Sequence, residues 1–180
     1  MEATKTRDLQ AGVTMIETLL AAAILVICSL SIISLVIASV ATNYRNRMDS
    51  TQTMLAESIL EQVHSTFNGN GTSALSDCGG TTWTIDTTIP NTGSVGSALS
   101  GAAIDYTEAS PPTGYHMDYL VKSPCSSSGT EDATYDVRWH LDQIGTTQTY
   151  LITVSAKLKN RGQGNLIFSA PVTLRFMAGS

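Results

Sequence analysis

Between Glu17 and Arg45 the chain has no Lys, Arg, Asp or Glu, and between Val13 and Asn68 it has neither Pro nor Gly. The first gap excludes an ordinary soluble enzyme as the simplest reading. The second leaves nothing to break a helix over that whole stretch. Charge is scarce elsewhere too. Ten Lys and Arg stand against fifteen Asp and Glu, a net charge of −5, which excludes a generally basic nucleic-acid binder but not a local basic patch. Phosphate-loop, Gly-x-Ser-x-Gly, His-Glu-x-x-His and Cys-x-x-Cys patterns are all missing, so no enzyme chemistry is expected. At 180 residues the chain holds one domain with a modest core.

The 23 residues from Leu19 to Ala41, LLAAAILVICSLSIISLVIASVA, would as a helix span about 34 Å. That crosses a hydrocarbon core of roughly 30 Å. Lys5 and Arg7 before the segment and Arg45 and Arg47 after it leave its orientation open. A secretory signal peptide with a site at Ser39-Val40-Ala41 would need a shorter apolar run. A plain membrane anchor fits the length but not Glu17, since a carboxylate at the edge of such a run is costly unless paired.

The local sequence AGVTMIETLLAAAIL, Ala11 to Leu25, resembles the prepilin signal of type IV pilins and type II secretion pseudopilins. The resemblance implies a leader, 1–12, cut off after Gly12 by a prepilin peptidase that also N-methylates the new terminus, Val13. It makes Glu17 the fifth mature residue and the assembly residue, pairing with the terminal amine of a neighbouring subunit. It departs from the common pattern in having Val13 where Phe is usual, in its weakly basic leader, and in lacking a proline in the apolar segment. That lack leans towards a minor pilin or pseudopilin. The stretch from Arg45 to Val63, with NRMDSTQTMLAESILEQV at its core, further resembles PilV-type minor pilins.

The expected fold is α+β, the pilin fold: a long N-terminal helix over 13–67, its first half transmembrane at about 19–41, packed on a C-terminal antiparallel sheet. The stripe Tyr44, Met48, Thr51, Leu55, Ile59, Val63 and Phe67 would face that sheet. Half of the residues from 69 to 114 are Gly, Ser or Thr, which reads as a surface connection with a few short strands (68–114) ahead of the sheet (115–180). In the last third Met117, Tyr119 and Val121, then Tyr135, Val137, Trp139 and Leu141, then Ile152, Val154, Ala156 and Leu158, then Val172, Leu174 and Phe176 alternate with polar residues. Such alternation means strands with one face covered.

Of the three cysteines, Cys28 lies in the apolar helix as a small hydrophobe. Cys78 and Cys125 lie in the head, which the resemblance places outside the cytoplasm; there a disulfide is expected, with free thiols as the alternative. His116 with Asp118 and His140 with Asp142 share the polar strand face; solvated side chains are preferred to a metal site, and no metal or cofactor is expected. Lys157, Lys159, Arg161 and Arg175 form a small basic edge, read as guarding an exposed strand in preference to touching DNA.

The function implied is a structural minor pilin, first single-pass in the bacterial inner membrane with its head outside the cytoplasm, then in the pilus at the cell surface or its initiation or tip complex. Its partners would be major and minor pilin subunits, the prepilin peptidase/N-methyltransferase and the inner membrane, with no small-molecule substrate. The alternative is a minor pseudopilin of a type II secretion system, and after it a membrane-anchored periplasmic binding protein or enzyme.

Overall fold

The computed structural model describes residues 14–66, 71–89, 93–145, 149–161 and 170–179. The chain divides into two compact units, Met1–Arg45 and Asn46–Ser180.

One helix, α1 (Met15–Thr66), supplies the described part of the first unit and the start of the second. Its first turn is organised by Thr14, whose carbonyl accepts the N–H groups of Glu17 at 3.0 Å and Thr18 at 3.2 Å. Glu17 in that turn suits the positive end of the helix dipole. At the other end the hydroxyls of Ser65 and Thr66 donate back to the Gln62 carbonyl, at 3.0 and 2.6 Å. The chain then returns close to the helix. A Cβ at Gly71 would meet the Thr66 carbonyl oxygen, so a side chain there would push the connection away.

In the second unit nine strands follow among the described residues. β1 (Thr72–Ser76) and β2 (Thr82–Asp86) form an antiparallel hairpin, and β4 (Leu99–Ser100) and β5 (Ala103–Ile104) a second, smaller one. The main sheet has five strands, all antiparallel. β7 (Thr130–Gln143), β8 (Thr149–Arg161) and β9 (Val172–Gly179) lie side by side. The other edge of β7 is shared: β6 (His116–Ser123) pairs with Thr130–Arg138, and β3 (Ser94–Gly96) with His140–Asp142. Gly96 permits the β3 pairing because its φ of 119° and its approach to the Trp139 carbonyl oxygen both exclude a Cβ.

The core lies between the sheet and the helical segment 48–63. Tyr135, Val137, Trp139 and Leu141 of β7 and Ile152, Val154 and Ala156 of β8 are buried, as the alternation requires. Each buried Val, Leu or Ile among them contributes about 1.5–3 kcal/mol of apolar burial. The Tyr135 hydroxyl donates to Met48 Sδ at 3.1 Å, and the ring of His64 stands edge-on to Phe176 at 4.7 Å. The protein is therefore α+β, a long N-terminal helix followed by an antiparallel sheet.

Three details differ from the sequence expectation. The buried helix face is Met48, Gln52, Ala56, Ile59 and Val63, while Tyr44, Thr51 and Leu55 are only half-buried and Phe67 lies outside the described residues. Ala56 is fully buried on this face, and no buried side-chain oxygen or nitrogen among the described residues lacks a partner, so Gln52 is accommodated at the centre. The connection before β6 is not simply a surface loop: it buries Ile85, Thr87, Ser97 and Ile104 and supplies β3 to the sheet. Finally, Val172 and Leu174 are half-buried and Phe176 exposed, because β9 is an edge strand.

Candidate assembly site

In the first unit every described residue from Thr14 to Thr42 is exposed, including the large apolar side chains from Met15 to Val40. The helix is long and apolar enough to cross a membrane once. Most of its hydroxyls bond back to the helix backbone. Ser29 donates to the Leu25 carbonyl at 2.7 Å, Ser31 to Ile27 at 2.9 Å, Ser34 to Ser31 at 2.8 Å and Thr42 to Ala38 at 2.9 Å. Thr18 likewise donates to Met15 at 2.8 Å. Bonds of this kind let a serine or threonine sit against hydrocarbon without an unpaired donor. What remains is Glu17, an exposed carboxylate in the first turn of an otherwise uncharged apolar segment. Gly12 and Val13, the expected cleavage and methylation positions, lie outside the described residues. Cys28 is a free, exposed thiol of this segment.

In the second unit Cys78 and Cys125 are disulfide-bonded across 47 residues of sequence, with their Cα atoms 4.8 Å apart. Asp77 prepares the position of Cys78. One carboxylate oxygen accepts the N–H groups of Gly79 and Thr81 at 2.8 and 2.9 Å, and the other accepts the Trp83 indole N–H at 3.2 Å. This closes the turn of the β1–β2 hairpin. The Cys78 N–H then donates to the Leu120 carbonyl at 3.1 Å, so hydrogen bond and disulfide together tie the hairpin to β6 and the loop after it.

A second anchor lies at Arg138. Its guanidinium donates to both oxygens of Asp136, at 2.8–3.1 Å, and to the carbonyls of Asp105 at 3.1 Å and Glu108 at 3.2 Å. The Tyr106 ring lies 5.0 Å from its Cζ. Burial works against the Arg138 charge, but hydrogen bonding to Asp136 and the surrounding negative groups hold it more firmly protonated than usual. Burial pushes the Tyr106 hydroxyl above its ordinary range, and it pushes Tyr115, whose hydroxyl donates to the Thr88 carbonyl at 2.6 Å, up to about 12. The sequence signal for the anchor is the Asp-x-Arg spacing on one strand face. Its targets, carbonyls some thirty residues earlier, leave no pattern.

The two His-x-Asp pairs do not converge. Pro112 O lies 2.9 Å from His116 Nδ1, and Ser97 O lies 2.8 Å from His140 Nδ1; Asp118 pairs with Lys159 at 2.7 Å. Among the described residues no three His, Cys, Asp or Glu side chains gather as a metal set. In the basic edge, Lys157 sits 5.2 Å from the Tyr106 ring centre and Arg175 is exposed; the Arg161 side chain lies outside the described set.

Set against protein-family models, curated proteins and solved structures, the chain matches none.

Proposed function

We propose that the chain is a structural minor subunit of a type IV pilus. A prepilin peptidase cuts after Gly12 and N-methylates Val13. The apolar half of α1 holds the subunit in the inner membrane and then packs among the helices of other pilin subunits. Glu17 pairs with the methylated amine of a neighbour as the filament grows. The head, closed by Cys78–Cys125, stays outside the cytoplasm. No catalysis and no small-molecule substrate belong to this reading.

The observation that carries it is the isolation of Glu17. Thr18, Ser29 and Ser31 satisfy their hydroxyls within the helix, whereas among the described residues the carboxylate forms no ion pair, and the next cation after it along the chain is Arg45. In low dielectric such a carboxylate gains from a cation that another molecule brings, and the orientation dependence of an ion pair makes it suited to setting subunit register. The deciding experiment is intact-mass and N-terminal analysis of the protein from membranes. The expected species begins at Val13, carries one added methyl group and holds the head disulfide. A membrane form beginning at Met1, or at Thr42 after signal-peptidase cutting, contradicts the proposal.

A further inference from the structure

β9 closes the sheet on the side away from β3 and β6. Its residues keep an unbroken antiparallel register with β8, from Ala156↔Val172 to Thr149↔Gly179, while the pairings of β6 with β7 and of β7 with β8 each contain a bulge. Natural edge strands are blunted by proline, bulges, lysines or a covering loop. The opposite side of this sheet is covered in that way: the N–H of Cys78 bonds the Leu120 carbonyl on β6, and the disulfide stands beside it. Pro171 stands just before β9, but the strand itself has no proline, no bulge and a single charge, Arg175, and among the described residues no strand lies on its outer side.

The exposure pattern is that of an edge and not of a face. Arg175, Phe176 and Met177 are all exposed, Phe176 at 40% and Met177 at 59%. Consecutive side chains on a strand point to opposite faces. Phe176 lies on the helix side, beside His64, so Met177 lies on the other. A helix or a lipid surface laid on one face would cover only one of them. A strand added alongside covers both and also takes up the outward backbone groups.

We infer that the outer edge of β9 accepts an extended segment of another polypeptide as a sixth strand of the sheet. Arg175 has no anionic partner among the described residues, so the segment brings a carboxylate opposite it and apolar side chains at the neighbouring positions, against Phe176 and Met177. A second copy of β9 does not meet this requirement. The strand contains no acid, so every register of two β9 strands sets Arg175 against another arginine or a neutral residue. The inference stands whether or not the chain is a pilus subunit.

The test uses the full-length protein in the membranes of the cells that make it. A photo-reactive benzoylphenylalanine replaces Phe176 in one variant and Met177 in another, and Met54, exposed on the helix, in a control. Retention of the Cys78–Cys125 disulfide in each shows that the head has folded. The expected result is that adducts from positions 176 and 177 map to adjacent residues of one partner segment that contains an acid, while position 54 gives none on that segment. Arg175→Glu should lower both yields roughly fivefold, the scale of one cross-strand charge pair lost, and replacing the partner's acid by lysine should restore them. Adducts to lipid, to a second copy's β9, to residues three or four apart as on a helix, or no adducts from folded protein overturn the inference.

Discussion

Arg138 and Asp136 stand two residues apart on the same face of β7, and the guanidinium Nη2 donates to Asp136 Oδ2 at 2.8 Å. Both side chains are mostly shielded, at 8% and 14% exposure. The same guanidinium holds the carbonyls of Asp105 and Glu108, so the charge pair on the sheet also fixes the connection that crosses it. Arg138→Met should destabilise the head by about 3 kcal/mol, because it strands the Asp136 carboxylate and frees two carbonyls. Chemical denaturation measures the loss, and hydrogen exchange should show faster amides over residues 98–108. Arg138→Lys should recover only part of it, since an ammonium cannot reproduce the fork. An Arg138→Met protein as stable as the wild type would mean that the pair holds nothing in place.

Removing the disulfide with Cys78→Ser and Cys125→Ser together should cost about 4 kcal/mol in the chain-entropy account of a loop of this size. Peptide mapping without reductant should find Cys78 joined to Cys125 and Cys28 open to alkylation in detergent. Head thiols that alkylate without reductant would contradict the structure.

The alkaline limb of stability should depend on Tyr115. Its folded pKa of about 12 lies above the ordinary value of 10. The folded state therefore holds this proton more tightly than the unfolded chain. The stabilisation is complete below pH 10 and is lost as pH rises towards 12. Tyr115→Phe should flatten the fall in melting temperature between pH 9 and 11, leaving the part due to Tyr106 and Tyr119, which burial shifts the same way. It should also lower stability at neutral pH by about 1 kcal/mol through the lost bond to Thr88. An unchanged alkaline slope would contradict the assignment.

Ile59→Ala should cost about 3 kcal/mol, since Ile59 is fully buried at the centre of the helix–sheet core. Met54→Ala, on the exposed side of the same helix, should change stability by less than about 0.5 kcal/mol. Equal effects at the two positions would place the helix face wrongly.

Much of this fold was legible because two periods are written in the chain. The absence of Gly and Pro up to Asn68 marks one helix, and strict alternation through Tyr135–Leu141 and Ile152–Leu158 marks strands covered on one face. The helix face is less legible: Thr51 and Leu55 fit the stripe by spacing, but the buried face carries Ala56 and Gln52, and Gln52 is tolerated because its polar atoms are paired. The connection was harder. Its Gly, Ser and Thr residues have no periodicity, and its order comes from distant partners, Arg138 for residues 105–108 and Leu120 for Cys78. In the first unit the oddity of Glu17 was visible in sequence because charge is absent on one side of it for so many residues. At β9 the alternation is present but Val172, Leu174 and Phe176 are not fully buried, because alternation tells which face is apolar and not whether a strand lies at an edge.

The central claim is that Glu17 acts between subunits. Glu17→Gln keeps size and hydrogen bonding but removes the charge that, in the proposed assembly, would pair with a neighbour's Val13 amine. Loss of one partner from a pair held out of water costs on the order of 3–5 kcal/mol. The leader, Gly12 and the apolar run are unchanged, so processing and insertion should be normal. The measurement is the ratio of processed protein in sheared filaments to that in membranes, by immunoblot, for wild type and variant side by side. The account predicts a normal membrane band and a filament band reduced at least tenfold, in line with a loss of more than about 1.4 kcal/mol. A wild-type ratio for the glutamine variant would contradict it and leave Glu17 as a carboxylate resting at the headgroups.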